Sequence, residues 1–189
     1  MSRLSSSDWQ ALVEIARRAI SSVILEKRLP DIPPYPAVLS EPRGAFVSLY
    51  CGGILRGCVG QVESPGLLAD VVVRSAINAA LYDLRFPPIG REEVASLEIE
   101  ISVLTALERI LPEAIVAGQH GLMVVRESSK GLLLPQVATE RKWSGRRLLE
   151  ETCIKAGLAR DAWRDHATLV FGFTAEVYSE KRQRIISES

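Results

Sequence analysis

Apolar residues recur at helical spacing over residues 8–28, where Leu12, Ile15, Ala16, Ala19, Ile20 and Val23 would share one face. The preceding "SSSD" offers an N-cap, so a first helix is predicted there. The next apolar runs, "AFVSLYC" and "ILRGCVGQV", are rich in strand formers. They flank Gly52-Gly53, a pair suited to a two-residue turn with positive φ, and predict a hairpin. "PGLLADVVVRSAINAALYDLRF" returns to helical spacing. Leu68, Val71, Val72, Ser75, Ala76, Ala79 and Ala80 form a narrow stripe of mostly small side chains, which lets a helix approach a neighbour closely. "PPIG" ends that helix and "REEVAS" reads as a short turn. "LEIEISVL" alternates cleanly, with Leu97, Ile99, Ile101 and Val103 on one face and Glu98, Glu100 and Ser102 on the other.

The second half repeats the style. "LPEAIVAGQ" reads as a short helix and "GLMVVRESSKGLLLP" as a hairpin with a polar, glycine-containing loop. "LLLPQVATERKW" reads as an irregular segment, "SGRRLLEETCIKAG" as a helix closed by Gly157, and "ATLVFGFTAEVY" as one final strand. Residues 181–189 are expected to fray. Five prolines in the sixteen residues of "LPDIPPYPAVLSEPRG" predict an extended loop, with Ile32, Tyr35, Val38 and Leu39 packing on the body. Strands thus come as hairpins with helices between them. That order predicts an α+β fold with a mostly antiparallel sheet and flanking helices, not a doubly wound parallel sheet. Both halves run hairpin, helix, strand, an order that an internal duplication would produce.

Length changes the picture little: 189 residues suit one domain, or one domain with two lobes. Zero formal charge and 6% aromatic residues provide no nucleic-acid footprint. No apolar run is long enough to span a bilayer, and Asp8, Glu14, Arg17 and Arg18 interrupt any signal-peptide core, so a cytoplasmic protein is expected. The three cysteines, Cys51, Cys58 and Cys153, are odd in number and irregularly spaced, which argues against a disulfide framework. The two histidines, His120 and His166, add none of the usual metal-ligand spacings, and no metal is expected. Nucleotide, zinc-protease and serine-hydrolase motifs are absent, and no cofactor is expected.

The candidate chemistry centres on "LRGCVG", residues 55–60. A regular hairpin about Gly52-Gly53 would pair Val47 with Cys58 and Leu49 with Arg56, placing Cys58 and Arg56 on one face. A covered guanidinium needs a carboxylate or an anion. Glu98 or Glu100 would be the internal partner, and a small anionic ligand the external one. An adjacent cation would make Cys58 a better nucleophile or soft ligand. Gly57 and Gly60 suggest a bulge or a close backbone approach. The plainer alternative stands beside this: Cys58 as a small buried hydrophobe and Arg56 in an ion pair.

Other candidates are more scattered. Tyr82, Asp83, Arg85 and Phe86 of "YDLRFPP" stand at a helix C-terminus, where Arg85 either complements the dipole or lines a ligand site. His120 lies between glycines on a turn, and Gln136 and Thr139 follow a strand. Cys153 fits the apolar stripe of its helix with Leu148, Leu149 and Ala156, and Lys155 suits that helix's C-terminus.

"GAFVSLYCGGILRGCVGQV", "RSAINAALYDLRFPPI", "LEIEISVL", "GQHGLMVV", "GLLLPQVATE", "LLEETCIKAGL" and "AW" occur in order from about residue 44 to residue 163. Together they resemble the AMMECR domain family, known in microbes as AmmeMemoRadiSam system protein A, whose signature hexapeptide matches Leu55, Arg56, Gly57, Cys58, Val59 and Gly60. Asp83, Arg85, Phe86 and Pro87 match a second motif. The resemblance implies a single domain over residues 1–189, with two unequal lobes and a cleft near the signature. It implies radical-SAM and Memo-type partner proteins in a modification pathway, and supplies no established activity and no catalytic role for any residue. Two functions follow as expectations. One is an enzyme or enzyme component with Cys58 as nucleophile or thiol ligand and Arg56, Gly57, Gly60, Arg85, Glu100, His120 and Gln136 around a ligand. The other is a non-catalytic ligand- or protein-binding adaptor. Nucleic-acid binding is the weakest reading.

Overall fold

A computed structural model describes residues 3–32, 34–62 and 66–181. Along the chain run α1 (Ser6–Ser21), β1 (Ala45–Cys51), β2 (Ile54–Gln61), α2 (Leu68–Leu81), β3 (Leu97–Leu104), β4 (Glu108–Arg109), β5 (Gly121–Arg126), β6 (Ser129–Leu133), α3 (Pro135–Glu140), α4 (Gly145–Lys155), β7 (Leu169–Phe173) and β8 (Ala175–Ser179). The chain divides into two units, Met1–Leu104 with Glu176–Ser189, and Thr105–Ala175. Each holds one four-stranded sheet, ordered β2-β1-β3-β8 in the first and β4-β7-β5-β6 in the second. The paired strands are antiparallel and the fold is α+β, as the alternation of hairpins and helices predicts.

In the first unit α1 begins two residues before its predicted start. Ser5 and Asp8 form a capping box, with Asp8 Oδ2 accepting the Ser5 N–H at 2.8 Å. The predicted helix to residue 28 loosens after Ser21 into a π-helical turn, Ser22–Glu26, and stops at Lys27 in the left-handed region (φ 57°). Arg91 satisfies the freed carbonyls of Ile24 and Leu25 at 3.2 and 2.9 Å. Leu97, Ile99, Ile101 and Val103 of β3 are all buried, as their alternation demands. They form one core with Val47 and Leu49 of β1 and with the inner faces of α1 and α2.

The hairpin turns at Gly52-Gly53, both with positive φ. Its predicted register holds only for Cys51↔Ile54 and Tyr50↔Leu55. A bulge then shifts the pairing, so that Leu49 faces Gly57 and Ser48 faces Cys58. Cys58 therefore does not share a face with Val47 and Leu49, as the regular register predicts, but with Ser48, and Arg56 is left without a cross-strand partner at the bulge. The cause is packing. Gly57 lies under α2, where a Cβ would run into the Ala79 carbonyl group, 2.8 Å from its carbon. The small-residue stripe of α2 thus meets a strand that has no side chain at the point of closest approach.

The second unit departs further from the periodicity. "LPEAIVAGQ" is not a helix: it forms a 3₁₀ turn at Pro112–Ala114, then a turn through Gly118 (φ 82°). The β5–β6 loop contains no glycine; it turns at Glu127 (φ 51°), while Gly131 lies within β6. "LLLPQVATERKW" is not irregular, because Pro135 at the first helical position opens α3. The predicted last strand is two strands, β7 and β8, separated by Thr174 and belonging to different sheets. α4 ends as predicted, with Gly157 (φ 76°) donating to Ile154 O and Leu158 to Cys153 O, a Schellman pairing.

Read outward from each hairpin, the sheets share one order: second hairpin strand, first hairpin strand, then the strand after the helix. Gly131 meets the backbone of α4 (Thr152 O, 2.7 Å from a built Cβ) as Gly57 meets that of α2. The shared order of elements therefore extends to the close-approach glycine. Of the segment expected to fray, only Lys181 is described; residues 182–189 lie outside the described residues. Just before it, Glu180 is held by Arg17 at 2.7 Å and accepts the Ile99 N–H at 2.7 Å.

Candidate functional site

β2 is an edge strand of the first sheet, so alternate residues present unpaired backbone groups outward. At Cys58 those groups are taken. Asp83 Oδ2 accepts the Cys58 N–H at 2.9 Å, and Arg85 Nη2 donates to the Cys58 carbonyl at 2.9 Å. The two clamping side chains bond each other through Arg85 Nε to Asp83 Oδ1 (2.9 Å) and Nη2 to Oδ2 (2.7 Å). Asp83 is buried beneath a guanidinium whose side chain is 59% exposed. Arg85 and two backbone N–H groups hold the Asp83 carboxyl far below the usual carboxylate range, and Asp83 in turn raises Arg85.

Backbone groups that point outward mark a non-hydrogen-bonded cross-strand pair, the type in which side chains lie closest. The partner is Ser48, whose hydroxyl donates to Cys58 Sγ at 3.2 Å. Ser48 also pairs with Glu100 on β3. Cys58, Ser48 and Glu100 thus form one row across three strands, on the half-buried face turned away from the core.

Arg56 is engaged elsewhere. It makes a two-pronged pair with Glu93, Nε to Oε1 at 2.8 Å and Nη2 to Oε2 at 3.0 Å, with 18% and 23% of the two side chains exposed. The expected internal partner, Glu98 or Glu100, is therefore replaced by Glu93, a residue of the turn after α2. Glu93 also accepts the Gly90 N–H at 2.9 Å; Arg56 and that N–H lower its carboxyl, and Glu93 raises Arg56. Gly57 serves the approach of α2, and a Cβ on Gly60 would strike the Ala45 carbonyl and the Phe46 ring.

His120 and Gln136 belong to the second unit. His120 precedes β5, and its Nδ1 accepts the Val116 N–H at 3.0 Å. Its ring borders a pocket of about 310 Å³ with Arg109, Thr105 and Thr174. Gln136 is half-buried on α3. Cys153 is fully buried among Leu148, Leu149 and Ala156, and burial pushes its thiol up. Cys51 lies near Ser96 Oγ at 3.3 Å. Among the described residues no group of three or more histidine, cysteine or acidic side chains could hold a metal ion, and no helix is long and apolar enough to cross a membrane.

The structure thus joins Cys58 with Asp83 and Arg85, two residues of the second motif, while Arg56 bonds Glu93. Ser48 and Glu93 escaped the sequence reading. An Asp-x-Arg pair at a helix end was a visible signal for the clamp; a serine alternating with apolar residues, and one glutamate among several, were not.

The AMMECR1 family model matches residues 13–178. The chain is similar to a protein of Methanosarcina acetivorans (40% identical, 94% of both chains covered) and to one of Methanothermobacter thermautotrophicus (42%, 94% of this chain and 96% of the other). Among solved structures it is similar to an uncharacterized protein of Pyrococcus horikoshii, with a TM-score of 0.86, 38% identity, and 94% and 93% of the two chains covered. A family match spanning most of the chain, with relatives this similar over more than nine-tenths of their length, leaves one conclusion: the chain belongs to the AMMECR1 family.

Proposed function

We propose that this protein is an enzyme or enzyme component of a modification pathway whose working group is the Cys58 thiol. One observation carries the proposal. The Cys58 backbone is locked on both sides by Asp83 and Arg85, while its half-buried side chain is met by the Ser48 hydroxyl. A core cysteine needs no such clamp; a reacting sulfur needs a fixed position and a donor that stabilises charge on it. Arg85 supplies the cation. Its Nη1 makes no hydrogen bond among the described residues, so it can hold a small anionic ligand beside the sulfur. The guanidinium of Arg56 is occupied by Glu93 and serves the local fold. The partners proposed for this pathway are those the family resemblance implies, a radical-SAM protein and a Memo-type protein, and the proposed compartment is the cytoplasm. Cells that lack the wild-type chain and express Cys58→Ser should lose the pathway's product, while Cys51→Ser should keep it. Product retained with Cys58→Ser removes the thiol from the reaction.

A specific feature favours a second reading, that of a protein-binding adaptor. Tyr82 and Leu84, on either side of the buried Asp83, are 66% and 99% exposed. Apolar side chains displayed around a rigid clamp suit a docking contact. Leu84→Ser with Tyr82→Ser would then abolish partner capture while Cys58→Ser leaves it intact; the reverse pattern rejects the adaptor.

A further inference from the structure

The second unit contains a cavity of about 530 Å³, within the range of small-molecule sites, that the Cys58 reading does not use. Its walls combine two kinds of surface. Ile110, Leu111, Pro112 and Val170 provide hydrocarbon. Arg109, Arg164 and His166 provide hydrogen-bond donors.

The two guanidinium groups have no carboxylate partner among the described residues. Arg109 lies over the Phe171 ring at 5.5 Å and Arg164 over the Trp163 ring at 5.2 Å. The acidic lining residue, Asp165, is committed to Arg126 at 2.9 Å. Arginines stacked on aromatic rings keep their outer N–H groups free for an anion. Thr168, which also lines the cavity, is 5% exposed, and its hydroxyl has no hydrogen-bond partner; the buried Trp163 indole N–H also has none. A buried donor left unmatched is costly, and in native proteins it marks a place where a ligand or water completes the bonding.

We infer that this cavity binds the carboxylate of a small organic acid with an apolar tail. Arg109 and Arg164 grip the carboxylate, His166 flanks it, and Thr168 and the Trp163 N–H complete its hydrogen bonds. The tail lies along Ile110, Leu111, Pro112 and Val170. An inorganic anion would use the cations and leave the hydrocarbon wall bare, and a neutral apolar molecule would do the opposite.

The test is an NMR titration of the full-length protein with hexanoate, following the Trp163 indole N–H resonance, assigned with Trp163→Phe. Hexanoate should shift it saturably, whereas inorganic phosphate and hexanol at equal concentration should act at least about tenfold more weakly. Arg109→Gln with Arg164→Gln should weaken hexanoate binding about tenfold or more, and the charge-conserving Arg109→Lys with Arg164→Lys should retain most of it. No saturable shift, an equal shift with phosphate or hexanol, or unchanged binding in the glutamine variant overturns the inference. None of these readouts involves Cys58.

Discussion

Asp83 and Cys58 lie 25 residues apart, and the Asp83 carboxylate accepts the Cys58 backbone N–H at 2.9 Å. That bond ties the end of α2 to the exposed edge of β2. It also brings Arg85 onto the Cys58 carbonyl, so the two family motifs meet as one clamp around one peptide unit.

Removing the carboxylate should loosen the clamp. Asp83→Ala leaves the Cys58 N–H without its partner and frees Arg85, and should cost about 2–3 kcal/mol in urea unfolding. Asp83→Asn should cost less, because an amide oxygen still accepts.

Acid should act through the same group and through Glu93. Both folded-state carboxyls lie below their ordinary values of 3.8 and 4.5. Their contribution to stability is complete above those values and is lost as pH falls through the folded-state values. Unfolding free energy measured downward from pH 6 should therefore fall less steeply in Glu93→Gln than in the wild type, and less steeply still once Asp83→Asn is added.

The two glycine types should separate cleanly. Gly57→Ala pushes a methyl group into the Ala79 carbonyl and should destabilise by about 3 kcal/mol, by prying α2 off the sheet. Gly157→Ala meets no atom and only strains a positive φ, so about 1 kcal/mol is expected. Denaturant midpoints of the two variants give the comparison.

The hairpin turn and β3 were legible because each rests on a local rule. Gly52-Gly53 fits a turn that needs positive φ, and a strand with one buried face must alternate. The register beyond Tyr50 was not legible. It is set by Gly57 meeting a helix and Arg56 reaching Glu93, two long-range contacts that local pattern does not encode. That slip of one residue moved Cys58 from the predicted partner Val47 to Ser48. "LPEAIVAGQ" carries helix-like apolar residues yet turns at Pro112 and Gly118, and the apolar run through Thr174 reads as one strand because periodicity does not mark a change of sheet. Asp83 and Arg85 stood out as residues without revealing that both act on Cys58.

Thiol accessibility should follow the fold. Cys51 and Cys58 are only partly buried and should alkylate in the native protein, whereas Cys153, fully buried with its thiol pushed up, should react only after unfolding. Peptide-level mass spectrometry distinguishes the three.

The most direct test of a fixed thiol beside the exposed Arg85 guanidinium compares iodoacetate with iodoacetamide at Cys58. The sulfur displaces iodide from either reagent, and only iodoacetate is anionic. Arg85 should raise the iodoacetate-to-iodoacetamide rate ratio at Cys58 above that at Cys51. Arg85→Lys should keep much of the excess and Arg85→Gln should abolish it. Equal ratios at the two cysteines, or an excess that survives Arg85→Gln, would contradict a Cys58–Arg85 anion site.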